Sequence, residues 1–161
     1  MSTATGKSAG PARISRVAHV ILNVRDPRAS ARWYCDVLGM ELMSFNPEFE
    51  VAFLSFGTQD HDIGLARAPE GEPLGSPGVS HVALALEGDE GDLRSMYSRV
   101  VGAGGKIDFV ADHGITKSFY FFDPDGNRLE IFYQVLSPEE ARAFMRAKGG
   151  IRDPYDLGVG G

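Results

Sequence analysis

Cysteine is almost absent: the 161-residue chain has one, Cys35. A single thiol can form no internal disulfide and no thiolate-based metal site. Its setting, RWYCDVLG, reads as an amphipathic helix in which the thiol packs as a small apolar group rather than acting as a nucleophile. No apolar run approaches the roughly 18 residues that a membrane span needs, so no membrane partner is expected. The opening stretch MSTATGKSAGPAR lacks the apolar segment of a secretory signal, and with the lone thiol this points to the cytoplasm. Basic residues are in deficit, 16 Lys plus Arg against 22 Asp plus Glu for a net charge of −6. No basic stripe is then available to displace counterions, which argues against a nucleic-acid partner. Histidine is scarce too, with four in the chain.

What is present is ordinary in bulk, 43% hydrophobic and 24% charged residues, as in a soluble globular domain. The order of the residues is less ordinary, because two segments resemble each other. RVAHVILNVRDPRASARWYCDVLGMEL starts at Arg16 and GVSHVALALEGDEGDLRSMYSRVVGAGGKI at Gly78. Each opens with an apolar strand holding a histidine at its centre, His19 or His81, then runs through an acidic turn, a helical stretch and a glycine stop. Strand-like runs follow in both: ELMSF, EVAFLSF and HDIGLARA, then KIDFVAD, TKSFYFF and NRLEIFYQ. The expected fold is therefore α+β, two paired βαβββ modules whose sheets join because neither is comfortable alone.

The boundaries follow from composition. Residues 1–13 read as a disordered tail and 14–136 as one domain, with modules at about 14–67 and 79–135. APEGEPLGSPG, within 68–78, is the Pro/Gly linker. DPDGN, residues 123–127, is a tight turn between strands. Residues 137–148 read as a C-terminal helix with Ser137 as N-cap, Pro138 first and Glu140 closing a capping box. The glycine-rich segment 149–161 reads as a loose tail.

Strand alternation then sorts the polar residues. His19 shares a face with Val17, Ile21 and Asn23, and His81 with Val79, Ala83 and Ala85. Glu130 shares a face with Arg128, Phe132 and Gln134, while Leu129, Ile131 and Tyr133 point the other way. Each alone has an ordinary explanation: a core histidine satisfied by backbone groups, or a glutamate paired with Arg128. Together they are two histidines at one place in two repeats plus a late carboxylate. That 2-His-1-carboxylate set suits non-haem Fe(II) and leaves one side of the metal open. A divalent cation also removes the cost of burying an unpartnered carboxylate.

These modules and motifs resemble the vicinal oxygen chelate superfamily over most of residues 14–135. It includes glyoxalase I, fosfomycin- and bleomycin-resistance proteins, methylmalonyl-CoA epimerase and type I extradiol catechol dioxygenases. The match is best to the single-domain extradiol enzymes. Their signature, a His-Gly-aliphatic-Thr run, a Tyr and FDPxGNxxE, is met by HGIT from His113, by Tyr120 and by FDPDGNRLE. A further family histidine, in a His-Asp-aliphatic run, falls on His61 in HDIGL.

The resemblance implies a curved, cup-like mixed β-sheet with helices outside and the metal site inside the cup. It implies Fe(II), with Mn(II) as the alternative, held by His19, His81 and Glu130, and O2 as co-substrate. His61, His113 and Tyr120 become the catalytic residues, with His61 shuttling a proton and the other two binding a catecholate oxygen. The implied reaction inserts both atoms of O2 into a small aromatic catechol beside its two hydroxyls, giving a yellow semialdehyde. An amino-acid catechol such as dihydroxyphenylalanine is one candidate, and Arg25, Arg28, Arg67 and Arg128 could meet a carboxylate. A homodimer is also implied. Two rivals share the scaffold: a glyoxalase-type metal-dependent lyase or isomerase, and a metal-free small-molecule binding or resistance protein. The first needs a fourth donor where the first module repeats Glu130, and the inward candidates there, Ile63 and Leu65, cannot supply one.

Overall fold

The structure is a computed structural model that describes residues 17–58, 60–75, 79–149 and 151–159. The expected N-terminal tail and the end of the linker, residues 76–78, lie outside the described residues. Two βαβββ modules are present. The first is β1 (Val20–Val24), α1 (Pro27–Leu38), β2 (Glu41–Asn46), β3 (Val51–Ser55) and β4 (Ile63–Arg67). The second is β5 (Val82–Ala85), α2 (Glu90–Gly102), β6 (Lys106–Asp112), β7 (Thr116–Phe122) and β8 (Arg128–Gln134), followed by α3 (Pro138–Lys148) and a short β9 (Asp153–Pro154).

Each helix begins and ends where its residues dictate. Asp26 caps α1 by accepting from the Arg28 and Ala29 amides, Pro27 opens it, and Gly39 stops it in the left-handed conformation at φ 73°. Asp89 and Asp92 form a reciprocal capping box on α2, and Ser137 and Glu140 do the same on α3, as the sequence predicts.

The strands form two sheets rather than one, in the orders β1-β4-β3-β2 and β5-β8-β7-β6-β9. In each the first strand runs parallel to the fourth, Val20 opposite Ile63 and Val82 opposite Leu129. His19 and His81 are thus not central in their strands; each sits one residue before the ladder begins. The sheets' helix-side faces merge into one core that includes Leu22, Tyr34, Leu54 and Leu65 from the first module and Phe119, Phe121, Leu129 and Ile131 from the second.

The seam between the modules is polar at its centre. The DPDGN turn does more than reverse the chain. Its Asp123 carboxylate accepts from the Tyr34 hydroxyl of α1 at 2.8 Å, and Asp125 accepts from the Ser30 hydroxyl at 2.5 Å and the Arg25 amide at 2.8 Å. Trp33 packs beside Phe121, with ring centroids 6.3 Å apart. Both carboxylates are buried. Burial pushes the Asp123 carboxyl above the ordinary range, opposed by the hydrogen bonds from Asn127 and Tyr34.

Residues 151–159, part of the segment expected to be loose, are docked. Strand β9 pairs with β6, the Leu157 side chain is buried in the common core, and Arg94 Nε donates to the Leu157 carbonyl at 2.7 Å. Its glycines masked the apolar residues that anchor it.

The seam makes a stability prediction. Tyr34→Phe deletes one donor to a buried carboxylate while keeping the ring. It should cost about 1.5–3 kcal/mol in chemical denaturation, the range for a hydrogen bond to a charged group. A change under a few tenths would mean that Asp123 is satisfied without the tyrosine.

Candidate metal and substrate site

On β8, Leu129 and Ile131 turn into the core and Glu130 emerges on the opposite face, buried at 6% exposure. Arg128 does not neutralise it, because its guanidinium holds Asp108, with Nη2 2.6 Å and Nε 2.8 Å from Oδ2. The neighbours of Glu130 are instead histidines and a tyrosine. His81 Nε2 lies 3.1 Å from Oε2, and His113 Nε2 lies 3.8 Å from Oε1. Tyr120 stands opposite Glu130 on the adjacent strand β7, with its ring 5.1 Å from that of His81.

The tautomer of His113 follows from its partners. Nδ1 lies 2.8 Å from the Ile151 carbonyl, which can only accept, so Nδ1 carries the proton. In the neutral ring Nε2 is then an acceptor, 3.0 Å from the Tyr120 hydroxyl. That phenol is pushed up to about 12 by burial first, then by hydrogen bonding to Glu130 and its charge. It therefore stays a donor across the neutral range.

Beside these groups is a cavity of about 240 Å³ lined by His113, Ile115, Thr116, Tyr120, Glu130, Phe132, Met145 and Ile151. Its outer wall comes from α3 and from the segment after it, a contribution the sequence reading missed because Met145 and Ile151 carry no polar signature. Among the described residues no arginine lines it. Of the four that were candidates for a substrate carboxylate, Arg67 holds Glu50, Arg128 holds Asp108, Arg25 approaches Asp125 and Arg28 stacks on Phe45.

His19 and His61 form a separate cluster on the first sheet, with ring centroids 4.5 Å apart and Phe53 5.1 Å from His61. Asp60 Oδ2 lies 3.2 Å from His61 Nδ1 and fixes a proton there. The strand pairing also corrects the position that repeats Glu130. In the second module Ala83, two residues after His81, faces Glu130. In the first, Ile21, two residues after His19, faces Gly64. The counterpart is therefore Gly64, while Ile63 and Leu65 point into the core. A side chain at Gly64 would strike Ile21 Cδ1 at 2.3 Å, so the first module offers no donor there.

The chemistry of His19, His81 and Glu130, two imidazoles and a carboxylate, fits a divalent cation. The geometry of one chain fits it only in part. His81 and Glu130 converge, but His19 stands with the other cluster. Among the described residues no three His, Cys, Asp or Glu side chains are placed to hold a metal ion.

This duplicated α+β fold defines the class, and the sequence agrees. The chain belongs to the Glyoxalase/Bleomycin resistance protein/Dioxygenase superfamily, whose model matches residues 16–131. Biphenyl-2,3-diol 1,2-dioxygenase 3 of Rhodococcus globerulus is 32% identical over 138 residues, covering 83% of this chain and 71% of that protein. A probable lactoylglutathione lyase of Synechocystis is 29% identical over 124 residues, 70% of this chain and 91% of that one. The solved fosfomycin resistance protein FosX of Listeria monocytogenes, complexed with Mn(II) and sulfate, shares the fold. Its TM-score is 0.63 at 17% identity, over 81% of this chain and 99% of that chain. No helix among the described residues is long and apolar enough to cross a membrane.

The Tyr120 environment predicts its titration. In an alkaline absorbance titration of the metal-free protein, Tyr120→Phe should remove a phenol that ionises near pH 12. Glu130→Gln should lower that midpoint while leaving it above the ordinary value near 10, because burial is the larger cause. The folded state holds this proton more tightly than the unfolded chain. Its contribution to stability is thus fully present below about pH 10 and is lost as pH rises through 12. A Tyr120 midpoint at the ordinary value would remove it as a buried donor.

Proposed function

We propose that the chain is a metal-dependent extradiol dioxygenase acting on a catechol with an apolar ring substituent. One observation carries this reading: a buried carboxylate, Glu130, is met by His81, by the Tyr120 hydroxyl region and by His113 at the edge of a ring-sized apolar cavity. The dioxygenase relative supports the reaction class. His19, His81 and Glu130 would hold a divalent metal, Fe(II) in preference to Mn(II), which would supply a redox-active Lewis acid for the catechol and O2.

The protein's own groups prepare the substrate. The unprotonated Nε2 of His113 accepts from the Tyr120 hydroxyl and can take a catechol proton once that hydroxyl turns to the substrate. Tyr120, protonated throughout the neutral range, donates to the resulting oxygen anion and fixes the ring's orientation. His61, whose Nδ1 proton is held by Asp60, keeps Nε2 free as a second proton carrier. Ile115, Phe132, Met145 and Ile151 line the substituent's side with apolar atoms. That wall favours an aryl or alkyl group over the charged side chain of dihydroxyphenylalanine. In the balanced reaction one catechol and one O2 combine, the ring bond beside the hydroxyls breaks, and both oxygen atoms stay in the semialdehyde acid.

The lyase reading asks for a fourth protein donor, and Gly64 stands where it would be. For the metal-free binding reading, the buried Glu130 among His81, His113 and Tyr120 has no purpose.

The test is anaerobic loading with Fe(II), followed by aerated buffer with 2,3-dihydroxybiphenyl, 3-methylcatechol, catechol or dihydroxyphenylalanine. Stoichiometric O2 uptake with a yellow product is expected, fastest for the apolar catechols. His81→Ala and Glu130→Ala should abolish it. Tyr120→Phe should lower kcat by about 10²–10⁴, the usual worth of a positioned proton-transfer or donor group. Metal bound tightly with no O2 uptake from any catechol would replace this reading with the lyase.

A further inference from the structure

We propose that residues 151–157 position the two substrate-facing groups of the second module. Ile151 sets the His113 imidazole, Arg152 sets the Tyr120 ring, and Arg94 with Leu157 is the remote anchor. The inference rests on the reading of His113 and Tyr120 as groups that meet the catechol, and adds what holds them.

The grip lies in two consecutive residues. The Ile151 carbonyl accepts from His113 Nδ1 at 2.8 Å, which turns Nε2 to the Tyr120 hydroxyl at 3.0 Å. Arg152, next in the chain, sets its guanidinium carbon 3.7 Å over the Phe109 ring. Phe109 pairs with Tyr120 across β6 and β7 and stacks on its ring, with centroids 4.1 Å apart and planes 14° apart. Two groups this close cannot share one face of a ring, so Phe109 is held between Arg152 and Tyr120. The chain comes near enough to do this because Gly114 follows His113. A Cβ there would stand 2.6 Å from Phe144 Cζ and 3.1 Å from Ile151 Cδ1.

The anchor lies further along. Asp153 and Pro154 pair with Asp112 and Ala111 on β6. The Tyr155 ring packs against the core, with Lys117 Nζ 4.3 Å from its centroid. Leu157 is buried, and its carbonyl accepts from Arg94 Nε of α2 at 2.7 Å. Arg94 and Lys117 both pair with Glu90 at the start of α2. Ile151 thus lies on the donor face of the second sheet and Leu157 in the core on its helix side, with β9 along the edge strand β6 between them. The segment wraps that edge, so its hold on α2 fixes where Ile151 and Arg152 stand on the other side.

The test uses the metal-free full-length protein with 15N-labelled histidine at one fixed pH, and so reads position and not turnover. Solvent exchange of the His113 Nδ1 proton is followed by NMR, its signal assigned by its absence in His113→Gln. Arg94→Met keeps the length of the side chain and removes the donor to the Leu157 carbonyl. Exchange at His113 should then become roughly two- to tenfold faster, the worth of one hydrogen bond in a local opening. Leu157→Ala should speed it further; where that variant does not fold, Arg94→Met decides. Arg152→Ala should leave the His113 proton protected and make Tyr120 ring flips roughly two- to fivefold faster, the worth of an exposed cation–π contact. Arg152→Lys, which keeps the charge, should restore part of that loss. Arg94 and Arg152 are exposed, so both variants keep the core. After loading with Fe(II), Arg94→Met and Arg152→Ala should lower kcat/KM for 3-methylcatechol.

Unchanged His113 exchange in folded Arg94→Met would overturn the anchor and leave the segment a passive wall. Unchanged Tyr120 ring flips in Arg152→Ala would overturn the grip on the tyrosine. The expected exchange and flip rates in a protein that takes up no O2 with any catechol would support the positioning and overturn the dioxygenase reading instead.

Discussion

Everything about this molecule's orientation depends on a few hydrogen bonds to two buried carboxylates. Asp123 gathers the amides of Asp125 and Asn127 on one oxygen and the Tyr34 hydroxyl and Asn127 side chain on the other. Asp125 takes the Ser30 hydroxyl and the Arg25 amide. Burying carboxylates is costly unless every lone pair finds a donor, and here donors arrive from both modules. The turn is therefore satisfied only when α1 is seated on it. A purely apolar seam could slide, whereas this one has a single register, and the register decides which face of each sheet looks outward.

That decision carries over to the chemistry. The modules meet through their helix sides, and the donors are split between two sheets. The second half is the more complete. It has the carboxylate, a histidine converging on it, a tyrosine held protonated by burial, and a histidine whose tautomer is fixed by the Ile151 carbonyl. The segment after α3 is then part of the site, since its backbone selects which nitrogen of His113 faces the cavity.

Much of this was legible in the sequence, and what was not has identifiable causes. Local rules predicted the elements well, because caps, glycine stops and period-two alternation depend on neighbours in the chain. Alternation placed Glu130 opposite Leu129 and Ile131 correctly. It fails at the first-module counterpart, where it offers Ile63 and Leu65 and both point into the core. A short run such as DIGLAR has apolar residues of both parities, and only pairing with β1 shows that Gly64 is the matching position. The clamp at Asp123 and Asp125 was read as turn chemistry alone. Pro, Gly and Asp suffice for a turn, and nothing local says that a helix about 90 residues earlier needs the same oxygens. The docked C-terminal segment was missed because glycine content suggested looseness while Leu157 carried the anchor.

The two modules are near-copies in fold and unequal in chemistry, and the inequality follows from one position. The strand pairing gives each module a place for one histidine before its first strand and one side chain on its fourth. The second module fills both, with His81 and Glu130. The first fills one, with His19, and has a glycine at the other, roofed by Ile21. A fully duplicated set would give four protein donors and a crowded centre suited to holding one substrate through proton chemistry. Three donors leave a divalent ion with coordination positions to spare.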